Sequence, residues 1–174
     1  MTYGTAIVTG SGRGIGKETA TLLSKMGLNV VICSRTQGEI DSTVKEIKEK
    51  VITAKNGYDD DERILGIKCD VSRSSEVDYL IKSTIEKFKS IHILVNNAGI
   101  VYVKKLIDTS EEEWAKTINI NLTGAFLFSK AVLSFMKNRH GVIINVSSGA
   151  GKTGFSDLSA FICTRPSSMT FFRQ

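Results

Sequence analysis

One segment near the start of the chain constrains the fold most, because it places four glycines between a strand-like run and a helix-like run. The segment Thr9–Gly16 reads Thr-Gly-Ser-Gly-Arg-Gly-Ile-Gly. The uncharged run Thr5–Val8 precedes it, and apolar residues at helical spacing follow it as far as Met26. Glycines let a backbone approach a pyrophosphate closely, and a helix start offers unpaired N–H groups to it. The segment therefore predicts a dinucleotide-binding turn; the alternative is an ordinary strand-to-helix turn.

The spacing of these glycines separates two kinds of nucleotide site. Gly10, Gly14 and Gly16 read Gly-x-x-x-Gly-x-Gly, which differs from the common Gly-x-Gly-x-x-Gly fingerprint. The segment also fails as a phosphate-binding P-loop, because Glu18 follows Lys17 and Ser11 stands where the first glycine is required. A nucleoside triphosphate is thus not the expected ligand.

Strand-like and helix-like stretches alternate along the chain, which predicts an α/β fold with a parallel sheet. The strand-like runs are Thr5–Val8, Leu28–Cys33, Ile64–Cys69, Ile91–Val95 and Val142–Val146. The helix-like stretches are Gly14–Met26, Gly38–Lys50, Ser74–Phe88 and Glu111–Asn138, the last with a break near Asn119. We expect a Rossmann-like, doubly wound parallel sheet of five strands in the order 3-2-1-4-5, with residues 1–174 as one dinucleotide-binding domain.

Composition restricts the classes of partner. The 174 residues are 41% hydrophobic and carry a formal net charge of +5. Lysines are interleaved with acids along the helical stretches, which is typical of solvated surface rather than of a nucleic-acid-binding stripe. The three cysteines predict no disulfide framework, the two histidines lie at no metal-ligand spacing, and no apolar run reaches a membrane span. We expect a cytoplasmic protein without metal, membrane or nucleic-acid partners.

A short polar motif follows each predicted strand. In chain order these motifs are Gly10–Gly16, Ser34-Arg35, Asp70-Val71, Asn96–Gly99 and Ser147-Ser148. Because the carboxyl ends of parallel strands lie at the same edge of a sheet, the motifs predict one site at that edge.

Together with Asn121-Leu122 and Asn145–Ser148, these motifs resemble the short-chain dehydrogenase/reductase family in order and spacing. The resemblance implies a glycine loop that holds the pyrophosphate, an Asp that contacts adenine, and an Asn-Asn-Ala-Gly turn beside the cofactor. On that basis the candidate cofactor-binding residues are Gly10, Ser11, Arg13, Gly14, Ile15, Gly16, Ser34, Arg35, Asp70, Val71, Asn97, Ala98 and Gly99.

The charge at the end of the second strand indicates which dinucleotide binds. An acid there would accept a hydrogen bond from a ribose 2′-OH and repel a 2′-phosphate. Ser34 occupies that place, Arg35 follows it, and Arg13 adds a second cation from the glycine loop. Guanidinium groups suit the geometry of a phosphate. We predict NADP(H) in preference to NAD(H); the alternative is that both arginines are solvated surface.

Catalysis in the family uses a Ser that holds the substrate carbonyl, a Tyr that donates the proton, a Lys that lowers the Tyr pKa, and an Asn that holds a water. The resemblance assigns Ser148 and Asn121 to the Ser and the Asn. Phe161 and Arg165 stand at the Tyr and Lys positions, so a proton donor worth about 10²–10⁴ in rate is missing. The resemblance implies an oxidoreductase acting on a small carbonyl or alcohol; the alternative is a catalytically dead dinucleotide-binding remnant or regulatory pseudoenzyme.

The C-terminal residues depart from the family pattern. The family continues with further helices and strands, so we expect a truncated member with an atypical tail over residues 161–174. One hypothesis is a frameshift: deletion of one A from codons for Thr-Lys-Ala-Phe-Val-Asn-Asp-Phe-Phe gives Thr-Arg-Pro-Ser-Ser-Met-Thr-Phe-Phe, the sequence from Thr164 to Phe172. We also expect Val142–Val146 to form an exposed apolar edge, and a homo-oligomer to form through the helix around residues 121–138.

Overall fold

The computed structural model describes residues 4–52, 60–136, 141–164 and 172–173, with side chains at 4–50, 62–136 and 141–164. The strands are β1 (Thr5–Val8), β2 (Asn29–Ser34), β3 (Ile64–Lys68), β4 (Ile93–Asn96), β5 (Val142–Asn145) and β6 (Phe172–Arg173). The helices are α1 (Gly14–Lys25), α2 (Gln37–Ile52), α3 (Ser74–Phe88), α4 (Glu111–Ile118), α5 (Gly124–Met136) and α6 (Ser159–Thr164). Every predicted strand and helix is present. The predicted site residue Arg165 lies outside the described residues.

The sheet has the strand order β3-β2-β1-β4-β5-β6, and the first five strands are parallel. This confirms the predicted order and the doubly wound topology. At the centre, Ile7 of β1 lies opposite Val31 of β2 and Leu94 of β4. All four residues of β1 are buried, because helices cover both faces of a parallel sheet of this kind.

The edge at β5 differs from the prediction. Phe172 and Arg173 form β6, which pairs with β5 in the antiparallel direction, with Ile143 opposite Phe172 and Val142 opposite Arg173. The prediction of an exposed edge is therefore wrong at Val142 and Ile143. Residues of the atypical tail supply the main-chain partners that an edge strand otherwise leaves unpaired.

Alternation along the strands divides the core into two layers, because successive side chains point to opposite faces. Ile7 and Val31 belong to one apolar cluster, with Phe128 of α5 and residues of α3. Val8 belongs to the other cluster, with Ala20 of α1 and residues of α2. Helices α1 and α2 thus cover one face of the sheet, while α3 and α5 cover the other.

Helices α4 and α5 form one helical stretch that is interrupted by a π-helical segment, Asn119–Thr123. The predicted break near Asn119 is therefore a local π-helical segment within a continuous helix, because Ile118, Asn119 and Gly124 all keep right-handed helical backbone angles. By length and composition alone, the 26 residues from Glu111 to Met136 are apolar enough to cross a membrane. In the structure, Phe128 and Val132 are fully buried against the sheet, whereas only 28% of the most apolar part of this helix is buried.

Candidate functional site

A cleft of about 350 Å³ lies at the carboxyl edge of the sheet, between the turns that follow β1, β2, β3 and β4. We call it the nucleotide cleft, after the ligand that the sequence predicts for it. It is lined by Gly10, Gly12, Arg13, Ser34, Arg35, Thr36, Glu39, Cys69, Asp70, Val71, Asn97, Ala98, Gly99, Ile100 and Ile120. Four of the five polar motifs that the sequence placed at this edge thus contribute residues to one cavity. Of the predicted cofactor residues, Ser11, Gly14, Ile15 and Gly16 do not line it.

The glycine loop is fixed against the turn after β4. The Asn97 side-chain amide donates hydrogen bonds to the carbonyls of Thr9 (2.9 Å) and Gly10 (3.1 Å), and the Thr9 hydroxyl accepts from the Asn97 and Ala98 N–H groups at 3.0 Å. Gly10 has a φ of +62°, and a Cβ there would lie 2.8 Å from the Ala98 Cα. A Cβ on Gly16 would lie 2.5 Å from the Asn97 Nδ2. Glycine is therefore required at both positions for this packing.

The Ser11 hydroxyl bonds to the backbone around the loop and does not line the cleft. It donates to the Val8 carbonyl at 2.6 Å and accepts from the Cys33 N–H at 3.0 Å. The Ser11 N–H also donates to the Cys33 carbonyl at 3.0 Å. Ser11 is fully buried, so its role in the structure is to join the loop to β2.

The first turn of α1 suits an anion. Arg13 is the residue that precedes the helix; no side chain caps this end, and the first turn carries no acidic residue. A Cβ on Gly14 would meet no atom within 4 Å among the described residues. The first N–H groups of a helix have no partner inside it and carry partial positive charge. This helix end is therefore open to a pyrophosphate, and the glycine loop fits the cofactor that the sequence predicts.

Asp70, after β3, presents an ionised carboxylate to the cleft. Its Oδ1 accepts from the Ser72 hydroxyl at 2.7 Å and from the Ser72 N–H at 3.0 Å. Burial acts to raise the pKa of Asp70, but these two hydrogen bonds and the charges of Arg35 and Arg73 outweigh it and leave that pKa below its ordinary value. A charged carboxylate beside the cleft can accept a hydrogen bond from an adenine amino group.

Glu39 is a cleft residue that sequence reasoning missed. Its Oε2 accepts a hydrogen bond from the Ser34 hydroxyl at 2.6 Å, and its Oε1 lies 3.7 Å from the Arg13 Nε. A signal was present, because Thr36-x-x-Glu39 at the start of α2 matches a capping-box pattern. In the structure the Thr36 N–H donates to the Ser34 hydroxyl at 3.3 Å, so Ser34 links the helix start to the carboxylate.

We call Ser148, Asn121 and Phe161, the described residues that the resemblance assigns to catalysis, the catalytic region. Ser148 precedes the short helical turn Gly149–Gly151, and its Oγ accepts from the Ala150 N–H at 3.2 Å. Within the described part of the chain, the structure shows no acceptor for the Ser148 O–H. Helix α6, which carries Phe161, packs against this turn and against the π-helical segment.

Asn121 lies in the π-helical segment and is 3% exposed. Its Oδ1 accepts from the Ile100 N–H at 2.8 Å, and its Nδ2 donates to the Ile100 carbonyl at 2.9 Å and the Thr164 hydroxyl at 3.0 Å. The Thr164 hydroxyl donates in turn to the Phe161 carbonyl at 2.8 Å. Asn121 therefore ties the turn after β4 to α6, and through it positions Phe161.

Phe161 is half-buried, and its side chain has no proton to donate. The sequence named it as the residue at the Tyr position, and the structure places it on the helix beside the Ser148 turn. The described residues bring the Ser and Asn candidates and this helix together, without a phenol at position 161.

Comparison with known proteins agrees with this architecture. The family described as short chain dehydrogenase has a model that matches residues 4–174. The chain is 40% identical over 156 residues to a 3-oxoacyl-[acyl-carrier-protein] reductase from Synechocystis sp. The aligned region covers 88% of this chain and 59% of that relative. It is 38% identical over 161 residues to a (2S)-[(R)-hydroxy(phenyl)methyl]succinyl-CoA dehydrogenase subunit from Thauera aromatica. The aligned region covers 89% of this chain and 61% of that relative.

Solved structures show the same similarity. The crystal structure of the F189W actinorhodin polyketide ketoreductase with NADPH matches with a TM-score of 0.85 and 32% identity, over 93% of this chain and 59% of that one. A putative short-chain alcohol dehydrogenase from Sinorhizobium meliloti matches with a TM-score of 0.83 and 26% identity, over 95% of this chain and 62% of that one. The chain thus spans about 60% of the length of the curated relatives it matches.

Proposed function

Because this chain belongs to the short-chain dehydrogenase family, we propose that it is an NADP(H)-dependent oxidoreductase that interconverts a small carbonyl and an alcohol. The observation that carries the proposal is the nucleotide cleft, in which the turns after four parallel strands meet. A bound nicotinamide supplies the hydride. We treat residues 1–174 as one dinucleotide-binding domain with an atypical tail over 161–174.

The chain offers a polar group for each part of the dinucleotide. The glycine loop and the open first turn of α1 suit the pyrophosphate, with Gly10, Gly14, Ile15 and Gly16 forming the backbone around it. Asp70 suits the adenine amino group, since its carboxylate is held ionised. Asn97 positions the loop rather than contacting the ligand through its amide, because that amide is used by two loop carbonyls.

NADP(H) is the proposed dinucleotide because Arg35, directly after β2, and Arg13, in the glycine loop, line the same cleft. The actinorhodin ketoreductase, a structural relative, was solved with NADPH. Replacing Arg35 with Ala should weaken NADPH binding by about 10–100-fold, the effect of losing a charged hydrogen bond to phosphate. NADH binding should change little.

Dissociation constants from isothermal titration calorimetry test this assignment. Lys82→Ala is the control, because Lys82 is an exposed cation on α3 and does not line the cleft. Tighter binding of NADH than of NADPH by the unmodified protein, or equal effects of the two substitutions on NADPH, would contradict the proposal.

For catalysis we propose that the Ser148 hydroxyl donates a hydrogen bond to the substrate carbonyl. The Ser148 Oγ accepts from the Ala150 N–H, which orients the oxygen while leaving its proton available. Oxidation of NADPH with a panel of aldehydes, ketones and 3-oxoacyl thioesters tests activity, and Ser148→Ala should abolish any turnover. A loss of NADPH binding in this variant would instead indicate a general loss of structure.

Phe161 favours a second candidate, a protein that binds the dinucleotide without turning over a substrate. The reaction needs a proton at the carbonyl oxygen, and a phenyl ring has none. NADPH binding by calorimetry, combined with no NADPH oxidation across the panel, would favour this binding protein. Turnover that requires Ser148 would favour the enzyme.

We further propose a homo-oligomer and a cytoplasmic location. Trp114, Leu122 and Phe126 are exposed on the α4–α5 stretch, which is typical of an interface. Phe126→Glu should then lower the mass measured by light scattering after gel filtration; an unchanged mass would contradict the proposed surface.

Cys33 and Cys69 are free and buried. Free, buried thiols of this kind suit a reducing compartment.

A further inference from the structure

Glu39 brings a negative charge into the part of the cleft that the proposed function assigns to the 2′-phosphate of NADP(H). Its carboxylate accepts from the Ser34 hydroxyl at 2.6 Å and lies 3.7 Å from the Arg13 Nε. It lines the same cleft as Arg35. Three groups in the cleft favour a 2′-phosphate, namely Ser34, Arg13 and Arg35. The first two interact with the Glu39 carboxylate.

Local geometry keeps this carboxylate against the glycine loop. A Cβ on Gly12 would lie 2.9 Å from the Glu39 Cβ, from the Glu39 Oε2 and from the Ser34 Cβ. Any other residue at position 12 would push Glu39 or Ser34 away. The Thr43 hydroxyl of α2 also donates to the Gly12 carbonyl at 2.9 Å, which fixes the helix to the loop. The Glu39 side chain is 35% exposed while that of Arg13 is 86% exposed, so the carboxylate is the more enclosed partner.

We propose that Glu39 is a coenzyme-specificity residue that lowers the preference of this site for NADP(H) over NAD(H). The inference rests on the proposed function, that a dinucleotide binds in this cleft. A phosphate monoester carries a charge of about −1.5 to −2 near neutral pH, and it must share Arg13 and Ser34 with the carboxylate. A ribose 2′-OH carries no charge and can donate a hydrogen bond to a carboxylate. The same side chain thus opposes one dinucleotide and accommodates the other.

The experiment compares the ratio of the NADH and NADPH dissociation constants, measured by calorimetry on the purified chain. Glu39→Gln removes the charge and keeps the shape of the side chain. The ratio Kd(NADH)/Kd(NADPH) should rise about tenfold in this variant. Glu46→Gln is the matched control on the same helix, because Glu46 pairs with Lys17 at 2.9 Å and does not line the cleft. The control should leave the ratio within about twofold of the unmodified protein.

Glu39→Ala is a second variant. It introduces no amide, so a change that it shares with Glu39→Gln does not come from the amide of the introduced Gln. Its ratio should rise in the same direction, and circular dichroism of each variant should match that of the unmodified protein. A ratio that stays unchanged or falls in both Glu39 variants, while the unmodified protein binds NADPH, overturns this inference alone. If the unmodified protein binds neither dinucleotide, the proposed function fails and this inference fails with it.

Discussion

The nucleotide cleft and the catalytic region use their polar side chains in different ways. In the cleft, hydrogen bonds between Asn97 and Thr9 fix the glycine loop to the turn after β4. The start of α1 and the Asp70 carboxylate stay open to a ligand. In the catalytic region, the Asn121 side-chain amide forms three hydrogen bonds within the protein, to Ile100 and Thr164. The first region thus leaves polar groups open to a ligand, whereas in the second region the Asn121 amide is used within the protein and position 161 carries a phenyl ring.

Under the proposed function, this difference separates the residues that bind the dinucleotide from those that act on the substrate. The cleft depends on backbone conformation and close packing, which several glycines secure. The proposed chemistry depends on a few side-chain atoms, and at position 161, where it needs a proton donor, the helix α6 carries a phenyl ring. The two regions can therefore be tested one at a time.

The largest expected effect is a gain of activity when the catalytic region receives a phenol. Phe161→Tyr should raise kcat/KM for NADPH-dependent carbonyl reduction by about 10²–10⁴-fold, the usual contribution of a general acid. NADPH affinity should not change, because Phe161 does not line the cleft. Stopped-flow or steady-state NADPH oxidation measures the gain.

Phe88→Tyr is the control for this gain, since it adds the same hydroxyl to a half-buried ring at the end of α3, outside both regions. Equal rates for the two variants would contradict the assignment of position 161 as the proton-donor position.

The next largest effect concerns the packing behind the cleft. Gly16→Ala places a Cβ 2.5 Å from both the Asn97 Nδ2 and the Gly10 carbonyl oxygen. We expect a loss of about 3 kcal/mol in the free energy of unfolding, as for an overpacked site, together with weaker NADPH binding. Urea titration and calorimetry measure the two quantities.

Gly38→Ala is the matched control for this loss, because a Cβ there would meet no atom within 4 Å among the described residues. Since alanine suits a helix better than glycine does, this variant should gain about 0.5–1 kcal/mol. A similar loss in both variants would show that the contact with Asn97 is not the cause.

A smaller effect tests whether Asn121 positions α6. Asn121→Ala leaves the partly buried Ile100 N–H without its partner, which costs about 1–3 kcal/mol. It also releases Thr164, so the amides of α6 should exchange hydrogen faster while those of β1 stay protected. Asn119→Ala, at an exposed position of the same segment, should change neither. Unchanged exchange in α6 for Asn121→Ala would contradict the positioning role.

The sequence predicted the fold well because its signals are local and repeated. Each strand is a short apolar run between polar turns, and the strand order follows from the connections between parallel strands. The pairing of β5 with β6 escaped prediction for the opposite reason. Nothing periodic distinguishes Phe172 and Arg173, and their partners lie thirty residues earlier in the chain, at Val142 and Ile143.

The site was predicted in part. The residues that line the cleft at the ends of β2, β3 and β4 follow directly from strand ends, since parallel strands present their carboxyl ends together. Ser11 was predicted as a cofactor-binding residue, but its hydroxyl forms hydrogen bonds to the backbone of Val8 and Cys33. A Ser in a loop can bond to backbone as readily as to a ligand. Glu39 was missed because its effect on the cleft depends on the direction of its side chain rather than on its place after a strand.

The smallest effect tests whether the two regions are independent, through the start of α4. The Ser110 hydroxyl accepts from the Glu113 N–H at 3.2 Å, and the Glu113 carboxylate accepts from the Ser110 N–H at 3.1 Å. Ser110→Ala should cost about 1 kcal/mol of stability, since it removes one bond of this capping box. Because α4 leads into the segment that carries Asn121, the loss should loosen the catalytic region first. NADPH affinity should stay within about twofold of the unmodified protein, and a larger loss would show that the cleft depends on α4 after all.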